Sequence, residues 1–379
     1  MPKLSFKDFK LKLPKKILNF PEIGKVAMRG IGMEKRKMLK EFYINNYFKN
    51  YILAKPKLFN WMFKNNGGQV AVLLSGDKII AHQGHIPVIF TNGKNDYKGF
   101  ISASTMVDAG FRRRGLMSHL RGNVQNQYEM AISLGGSDMG IALYSSMGYK
   151  NYGNLIHLVA IIDPKRCVGI VKSGAALKRN AKLGSGDKGG QVKFIKKFEE
   201  IKKDIERLWE SVFSGKKYFC VKRNAEFLDW RYAEHPIFKY ERYGFWDKGE
   251  LRALIVFRKE LPKGAKWKTI RIVELIGTDD AIPELIKATV LNSKISSDVG
   301  WADWLCSNKH ICQIVERAGF VSPEKLLPAK IPLLCNPINY EKKGYPVMLW
   351  SKNNSLHKRM IPLNEWYITK GDGDADRPN

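Results

Sequence analysis

The chain has 379 residues, 44% hydrophobic and 11% aromatic, which suffices for the cores of two domains and excludes a disordered or fibrous class. With 65 Lys and Arg against 36 Asp and Glu its net charge is +29, so its partners are expected to be anionic: phosphorylated cofactors, nucleotide-linked substrates, nucleic acid or an acidic membrane face. Five cysteines without a Cys-x-x-Cys pair argue against zinc ribbons and disulfide frameworks, and no stretch approaches the roughly 20 apolar residues of a membrane span. A reducing, cytoplasmic setting is the default expectation. The basic residues are scattered and no arginine-aromatic RNA signature appears, so nothing specific points to nucleic acid.

Residues 1–32 alternate Lys with Leu, Phe and Ile and are broken by Pro2, Pro14 and Pro21. They predict a strand-like arm or surface strap, basic enough for peripheral membrane contact. From Met33 to about Ile52 the spacing of Met38, Leu39, Phe42, Tyr43 and Tyr47 is helical. Three strands follow, Val70 to Leu74, Lys78 to Phe90 and Lys98 to Val107, joined by turns at Ser75-Gly76-Asp77 and Thr91-Asn92-Gly93. A helix is expected from Gly115 to about Leu134, with a short apolar strand near Ala131 to Leu134. A second short helix, Met139 to Met147, is ended by Gly148, and Leu155 to Ile162 is rich in β-formers.

Ser173 to Lys193, rich in Lys, Gly, Ala and Ser, predicts a linker, and a helix over Phe194 to Phe213 restarts the cycle. The restart carries echoes of the first half. Phe59-Asn60-Trp61-Met62-Phe63 is matched by Leu228-Asp229-Trp230-Arg231-Tyr232, and Met147-Gly148-Tyr149 by Ala318-Gly319-Phe320, at offsets of 169 and 171 residues. Nearly equal offsets predict a divergent duplication. The expected organisation is a basic arm (1–32), a first domain (33–172), a linker (173–193), a second domain (194–350) and a tail (351–379). The tail, ending in Asp372-Gly373-Asp374-Ala375-Asp376, begins like a calcium loop but lacks the closing glutamate, so no metal is expected.

The residues that carry chemistry lie at one turn. Arg112-Arg113-Arg114-Gly115-Leu116-Met117 stands between the strand ending at Thr105-Met106-Val107 and the following helix. Glycine lets backbone approach a ligand, the first N–H groups of a helix are unpaired, its dipole favours anions, and arginines add planar donors for phosphate oxygens. Such a turn suits a pyrophosphate. His82 and His85, three apart, fall on opposite faces of a regular strand. His85 and Asp108 are the candidates for deprotonating an acceptor, directly or through water.

Val107, the turn at Arg112 to Met117, and Tyr144-Ser145-Ser146-Met147-Gly148-Tyr149 resemble the signatures of the GNAT acyltransferase superfamily. Its first signature, Gln/Arg-x-x-Gly-x-Gly/Ala at the start of the central helix, is met at Arg112 and Gly115 and departs at Met117. Its second, a tyrosine on a short helix before Gly-Phe or Gly-Tyr, is met at Tyr144 and Gly148-Tyr149. The resemblance covers about residues 33–165 and implies an α/β (α+β) fold of tandem GNAT-like domains, each a mixed, mostly antiparallel sheet flanked by helices. It implies acetyl-CoA as acyl donor, held by the backbone of Thr105, Met106 and Val107 and by Arg112, Arg113, Arg114, Gly115, Leu116 and Met117, with Tyr144 protonating the departing thiolate. At the corresponding place in the second half, Leu275-Ile276-Gly277-Thr278-Asp279-Asp280-Ala281-Ile282-Pro283 has no Arg-x-x-Gly and two acidic residues, so that domain is expected to be degenerate. The tandem arrangement is also similar to bacterial acyltransferases of surface-polysaccharide biosynthesis. That similarity implies an amine acceptor such as a nucleotide-linked amino sugar; a FemAB-like aminoacyl transferase and a non-catalytic polyanion binder are the alternatives.

Overall fold

The structure is a computed structural model, and it describes residues 13, 15–47, 51–64, 69–174, 177–181, 189–213, 218–336, 338–341, 344–353 and 362–373. The chain divides into two compact units. Unit 1 takes residues 1–152, 346–361 and 372–379; unit 2 takes 153–345 and 362–371. Nine of the twenty-one residues expected to link two domains (175, 176 and 182–188), and the last acidic residues of the tail, lie outside the described residues; of the other twelve, Leu177 and Ala181 are buried and Gln191 to Lys193 belong to a strand.

Unit 1 is built on strands β1 (Lys16–Phe20), β2 (Gly24–Ile31), β3 (Gln69–Ser75), β4 (Lys78–Thr91), β5 (Asp96–Val107), β6 (Met130–Leu134) and β7 (Lys150–Asn154). They pair in the order β1-β2-β3-β4-β5-β6, and the Pro346–Ser351 strand then lies between β6 and β7. From β1 through β6 to the Pro346–Ser351 strand the pairings are antiparallel except β5 with β6. The three strands read from the sequence are β3, β4 and β5, extended by a residue or two. The described part of the basic arm is strand-like, as expected, and goes further: Pro21 sits in a tight turn, and the alternation flanking it makes β1 and β2 a hairpin whose second strand pairs with β3.

Among the described residues four α-helices accompany this sheet: α1 (Arg36–Asn46), α2 (Pro56–Phe59), α3 (Leu116–Gln125) and α4 (Asp138–Ser146). The first is shorter than its periodicity suggests, and α3 ends at Gln125 rather than running toward Leu134. Met130–Leu134 is buried on both faces and finds β partners on both edges, so tertiary pairing overrides helical continuation there.

Unit 2 repeats the plan. Its sheet comprises β8 (Ile156–Ile161), β9 (Gln191–Phe194), β11 (Glu241–Asp247), β12 (Glu250–Glu260), β13 (Lys268–Gly277) and β14 (Val299–Cys306), in the order β8-β14-β13-β12-β11-β9. The short strand β10 (Phe219–Val221) pairs in parallel with Trp366–Tyr367. As in unit 1, one central pair, β13 with β14, is parallel. Two expectations are corrected here. The β-rich segment assigned to the first domain is β8, an edge strand of the second sheet antiparallel to β14. The stretch from Phe194 begins with β9, which pairs with β11, and only then forms a helix. That helix is α6 (Lys202–Phe213), following α5 (Pro164–Cys167) and preceding α7 (Ala225–Leu228), α8 (Ala281–Ala288) and α9 (Lys309–Arg317).

Both sequence echoes land on equivalent structure. In each unit a four-residue α-turn, α2 or α7, runs directly into a π-turn, Asn60–Lys64 or Asp229–Ala233. Gly148 and Gly319 each close a helix in left-handed geometry, at φ 80° and 98°. Their N–H groups reach back to Ser145 and Glu316 carbonyls at 3.0 and 2.9 Å, which is the glycine helix stop. Two unrelated local signals placed alike in two sheets of like topology support a duplication.

Candidate active site

The site in unit 1 starts from a bulge in β5. Across the β4–β5 ladder His82 faces Met106 and Gly84 faces Ala103, so two residues, Ser104 and Thr105, oppose the single Gln83. Ser104 takes φ +51°, a left-handed conformation that a serine holds only when its surroundings impose it. They do so here. The Ser104 carbonyl accepts a hydrogen bond from His82 Nδ1 at 2.8 Å, and Tyr51 hydroxyl meets Ser104 Oγ at 3.0 Å. Since a carbonyl can only accept, Nδ1 carries the proton and Nε2 accepts from the Tyr43 hydroxyl at 2.9 Å. His82 is fully buried against Phe42 and Tyr43 of α1, and burial lowers its pKa to about 4. It is a neutral clamp on the bulge.

Beyond the bulge, β5 parts from its other neighbour. Pairing with β6 comprises Gly99, Phe100 and Ile101 only, opposite Met130, Ala131 and Ile132, so Ser102 to Val107 have no ladder partner from β6. A strand edge of this kind presents backbone donors and acceptors to an extended ligand. Thr105, Met106 and Val107 are half-exposed along it.

Tyr144 is the one buried side chain of α4. Its hydroxyl lies 2.9 Å from Ser102 Oγ and 2.9 Å from Thr105 Oγ1, which fixes the phenol beside the unpaired stretch of β5. Ser102 Oγ in turn accepts from Gln83 Nε2 at 3.0 Å. A phenol on a chain of hydroxyls can give and regain a proton without moving.

At the strand-to-helix turn the three arginines do not converge. Arg112 folds back on the strand, Nε donating to the Val107 carbonyl at 3.2 Å with Nη2 3.9 Å from Met106 Sδ. Arg114 bridges to the β1–β2 turn, donating to the Glu22 carbonyl at 3.1 Å and pairing with its carboxylate at 3.4 Å. Arg113 is exposed at φ +64°, and its guanidinium makes no hydrogen bond or ion pair among the described residues. Gly115 caps α3 at φ +69°, and a Cβ there would meet nothing within 4 Å, so the helix start is open to approach. Leu116 and Met117 are both 2% exposed. Their side chains anchor α3 in the core, so what they offer a ligand is backbone N–H.

Neither base candidate is set up for the task. Burial works to raise the pKa of Asp108, but an ion pair with Lys78 at 3.0 Å, the Gly110 N–H and Asn46 outweigh it and hold the carboxyl below its ordinary value. His85 lies on the sheet face opposite His82, as alternation requires, fully buried edge-on to Phe100. Burial, and secondarily the charge of Arg121, lowers its pKa to about 3.

Unit 2 has the same parting of strands, with pairing of β13 to β14 ending at Ile272 and Trp304. There the chain itself fills the position. Thr369 Oγ1 donates to the Val273 carbonyl at 2.8 Å and Tyr367 hydroxyl to the Leu275 carbonyl at 2.7 Å. On the β14 side the Ser307 N–H donates to the Ile368 carbonyl at 2.9 Å. The turn into α8 carries Asp279, paired with His310 at 2.9 Å, and Asp280, which bonds Arg252 at 3.3 Å. Sequence reading found the acidic turn and missed the plug, because Trp366 to Gly371 carries no periodic signal.

No family model matches the chain, and no curated protein is similar to it in sequence. Solved structures do match in fold. The GCN5-related N-acetyltransferase of Anabaena variabilis superposes with a TM-score of 0.58 at 12% identity, covering 86% of this chain and 73% of that one. The N-myristoyltransferase of Saccharomyces cerevisiae, solved with bound myristoyl-CoA, gives 0.57 at 11% identity over 93% and 83%. A GCN5-related N-acetyltransferase from Kribbella flavida gives 0.54 at 14% identity over 86% and 70%. The chain is thus an α+β protein with two mixed sheets resembling tandem GNAT domains, as in N-myristoyltransferase.

Proposed function

We propose that unit 1 is an acyl-CoA-dependent N-acyltransferase, with acetyl-CoA as donor and the amine of a small anionic acceptor, such as a nucleotide-linked amino sugar, as acceptor. The observation that carries this reading is the clamped bulge of β5: it leaves an unpaired strand edge with a buried phenol at one end and a basic helix start at the other. In this reading the pantetheine arm extends along Ser102 to Val107. The pyrophosphate meets the N–H groups of Gly115, Leu116 and Met117, with Arg113 as the mobile cation. The acceptor amine attacks the thioester carbonyl, whose oxygen gains charge and is stabilised by backbone N–H groups of the bulge. Collapse forms the amide and breaks the carbon–sulfur bond; the thiolate takes the Tyr144 proton, and the phenolate recovers the proton that the attacking nitrogen sheds as it becomes the amide, through Ser102, Thr105 or water. The net positive charge draws both anionic substrates in. Unit 2, with its equivalent edge filled and its turn acidic, serves as a structural partner.

Tyr144→Phe is expected to lower kcat roughly 10²–10⁴-fold with the acetyl-CoA KM little changed, because the lost group acts on the leaving thiolate. Arg113→Ala is expected to raise the acetyl-CoA KM about tenfold or more with kcat retained, the cost of one charge-assisted hydrogen bond. Initial-rate kinetics against a panel of amino sugars, polyamines and amino acids check both. Calorimetry with acetyl-CoA is the decisive test: no heat of binding at 1 mM ligand ends the proposal. A polyanion binder without turnover would instead show only a steep salt dependence.

A further inference from the structure

Arg121 is the anomaly of unit 1. It projects from the buried face of α3 with Leu120, Val124 and Gln125 and is fully buried. A buried guanidinium ordinarily faces a carboxylate, since it cannot shed its charge and its desolvation must be offset. No ion pair to Arg121 exists among the described residues; its only donor contact is Nη1 to Met147 Sδ at 3.7 Å. Its two faces are covered by aromatic rings, Tyr149 with its centroid at 3.8 Å and Tyr144 at 4.4 Å. What remains is one edge, and on it Nε and Nη2 have no hydrogen-bond partner. Those two N–H groups point the same way and form the fork that grips both oxygens of a carboxylate.

The surroundings share the deficit. Gln125 Nε2, one helical turn from Arg121, has no partner; neither do both ring nitrogens of fully buried His85 nor the Oε1 of Gln83. The Tyr149 hydroxyl lies beside Arg121 and Gln125, whose polar groups work to lower its pKa, but burial is the larger effect and pushes it up, so it stays a neutral phenol. Native interiors leave few buried polar atoms unpaired, and each group of them calls for a partner. The cationic fork, the Gln125 amide N–H, one imidazole N–H and the Tyr149 O–H, with no acidic side chain joining them, have the composition of a carboxylate receptor; Gln83 Oε1 and the second imidazole nitrogen are acceptors and take a donor such as water.

We propose that the Arg121 fork, with Gln125, His85 and Tyr149 around it, binds a carboxylate group next to the Tyr144 phenol. If the acyltransferase reading of unit 1 holds, that group belongs to a substrate, either a carboxyl-terminated acyl chain or a carboxyl-bearing amine, since Tyr144 marks where the transferred bond is made. The acetyl group then serves as a minimal donor.

The test uses the full chain as wild type, Arg121→Met, Arg121→Lys and Gln125→Leu. Thermal unfolding is followed in sodium succinate or acetate against sodium chloride at equal ionic strength. The expected result is a saturable rise in the wild-type Tm specific to the carboxylates, absent in Arg121→Met, and reduced in Arg121→Lys, which keeps the charge and loses the fork, and in Gln125→Leu. Without carboxylate, Arg121→Met is expected to be at least as stable as wild type. No carboxylate-specific rise in wild type, or the same rise in Arg121→Met, overturns the proposal and leaves water as the partner of these groups. Acetyl-CoA calorimetry on wild type reports the coenzyme reading separately, so either result can fail alone. Turnover of succinyl-CoA over acetyl-CoA that is lost in Arg121→Lys assigns the carboxylate to the donor. A like preference for carboxyl-bearing amines assigns it to the acceptor, and stabilisation without either preference assigns it to a free anion.

Discussion

Between pH 6.5 and about 4 the protein is expected to lose much of its stability through two buried histidines. His82 and His85 are buried neutral, with pKa values lowered from 6.5 to about 4 and about 3 by desolvation, and for His85 also by the charge of Arg121. The unfolded chain binds protons on both residues through this range while the folded chain does not, so stability rises with pH across it. The two contributions are complete above pH 6.5, fall as the pH drops and level off below the folded values. At roughly 1.4 kcal/mol per pKa unit, each histidine costs on the order of 3–5 kcal/mol on full acidification, against roughly 5–15 kcal/mol for a typical domain. Asp303 and Glu260 of unit 2, whose values burial raises and Arg271 more than restores, add losses that set in as the pH falls through their ordinary values of 3.8 and 4.5 and continue below them. Denaturant titrations at half-unit intervals measure the slope. A midpoint unchanged from pH 7 to pH 4.5, or an identical slope in His85→Gln, would count against this account.

The second large effect is expected at Arg271→Met, at about 3–5 kcal/mol of destabilisation. Arg271 is 1% exposed on β13, and its Nε donates to Glu260 at 2.9 Å. Its Nη1 donates to Asp303 and, at 3.1 Å, to the Leu333 carbonyl. Its Nη2 lies 2.8 Å from Cys335 Sγ. Every donor edge is used, so removing the guanidinium leaves buried Asp303, among the described residues, with only His157 at 3.7 Å beside it and Glu260 with Arg258 at 3.6 Å and Asn336 at 3.0 Å. Arg121 presents the reverse case, and the pair of methionine variants reads out the difference: a sharp loss for position 271 and none for 121. Equilibrium unfolding of both in one buffer without added carboxylate compares them directly. Equal destabilisation by the two would show that Arg121 is paired after all.

Much of the site was legible in the chain. Alternation and hairpin turns located β3 to β5, the arginine-glycine turn located the start of α3, and the echoes located the repeat, because each is a local signal read within a few residues. Even Arg121 was visible in principle: with Met117, Leu120, Val124 and Gln125 it falls on the apolar face of α3, where a cation is out of place. What was illegible is long-range. The parting of β5 from β6 and the left-handed Ser104 depend on His82 and Tyr51, residues 22 and 53 positions away. The hairpin of β1 and β2 reads as a strap until β3 is there to pair with it. Nor does anything in Arg112-Arg113-Arg114 say that Glu22 claims one side chain and the Val107 carbonyl another.

The strand at Pro346–Ser351 has a consequence for how the protein comes into being. It pairs with β6 from Val347 opposite Leu134 to Ser351 opposite Met130, and in the sheet it separates β6 from β7. Some two hundred residues, all of β8 to β14, are synthesised before it. A ribosome that has released Tyr144 and the whole arginine turn has therefore made every proposed catalytic group and still lacks the strand that closes their sheet. The edge of β6 stays unsatisfied throughout that interval, a standing risk of pairing with another chain. A gene cut after Asn154 would encode every proposed catalytic group and no finished sheet, which needs Pro346–Ser351 from the far end of the chain.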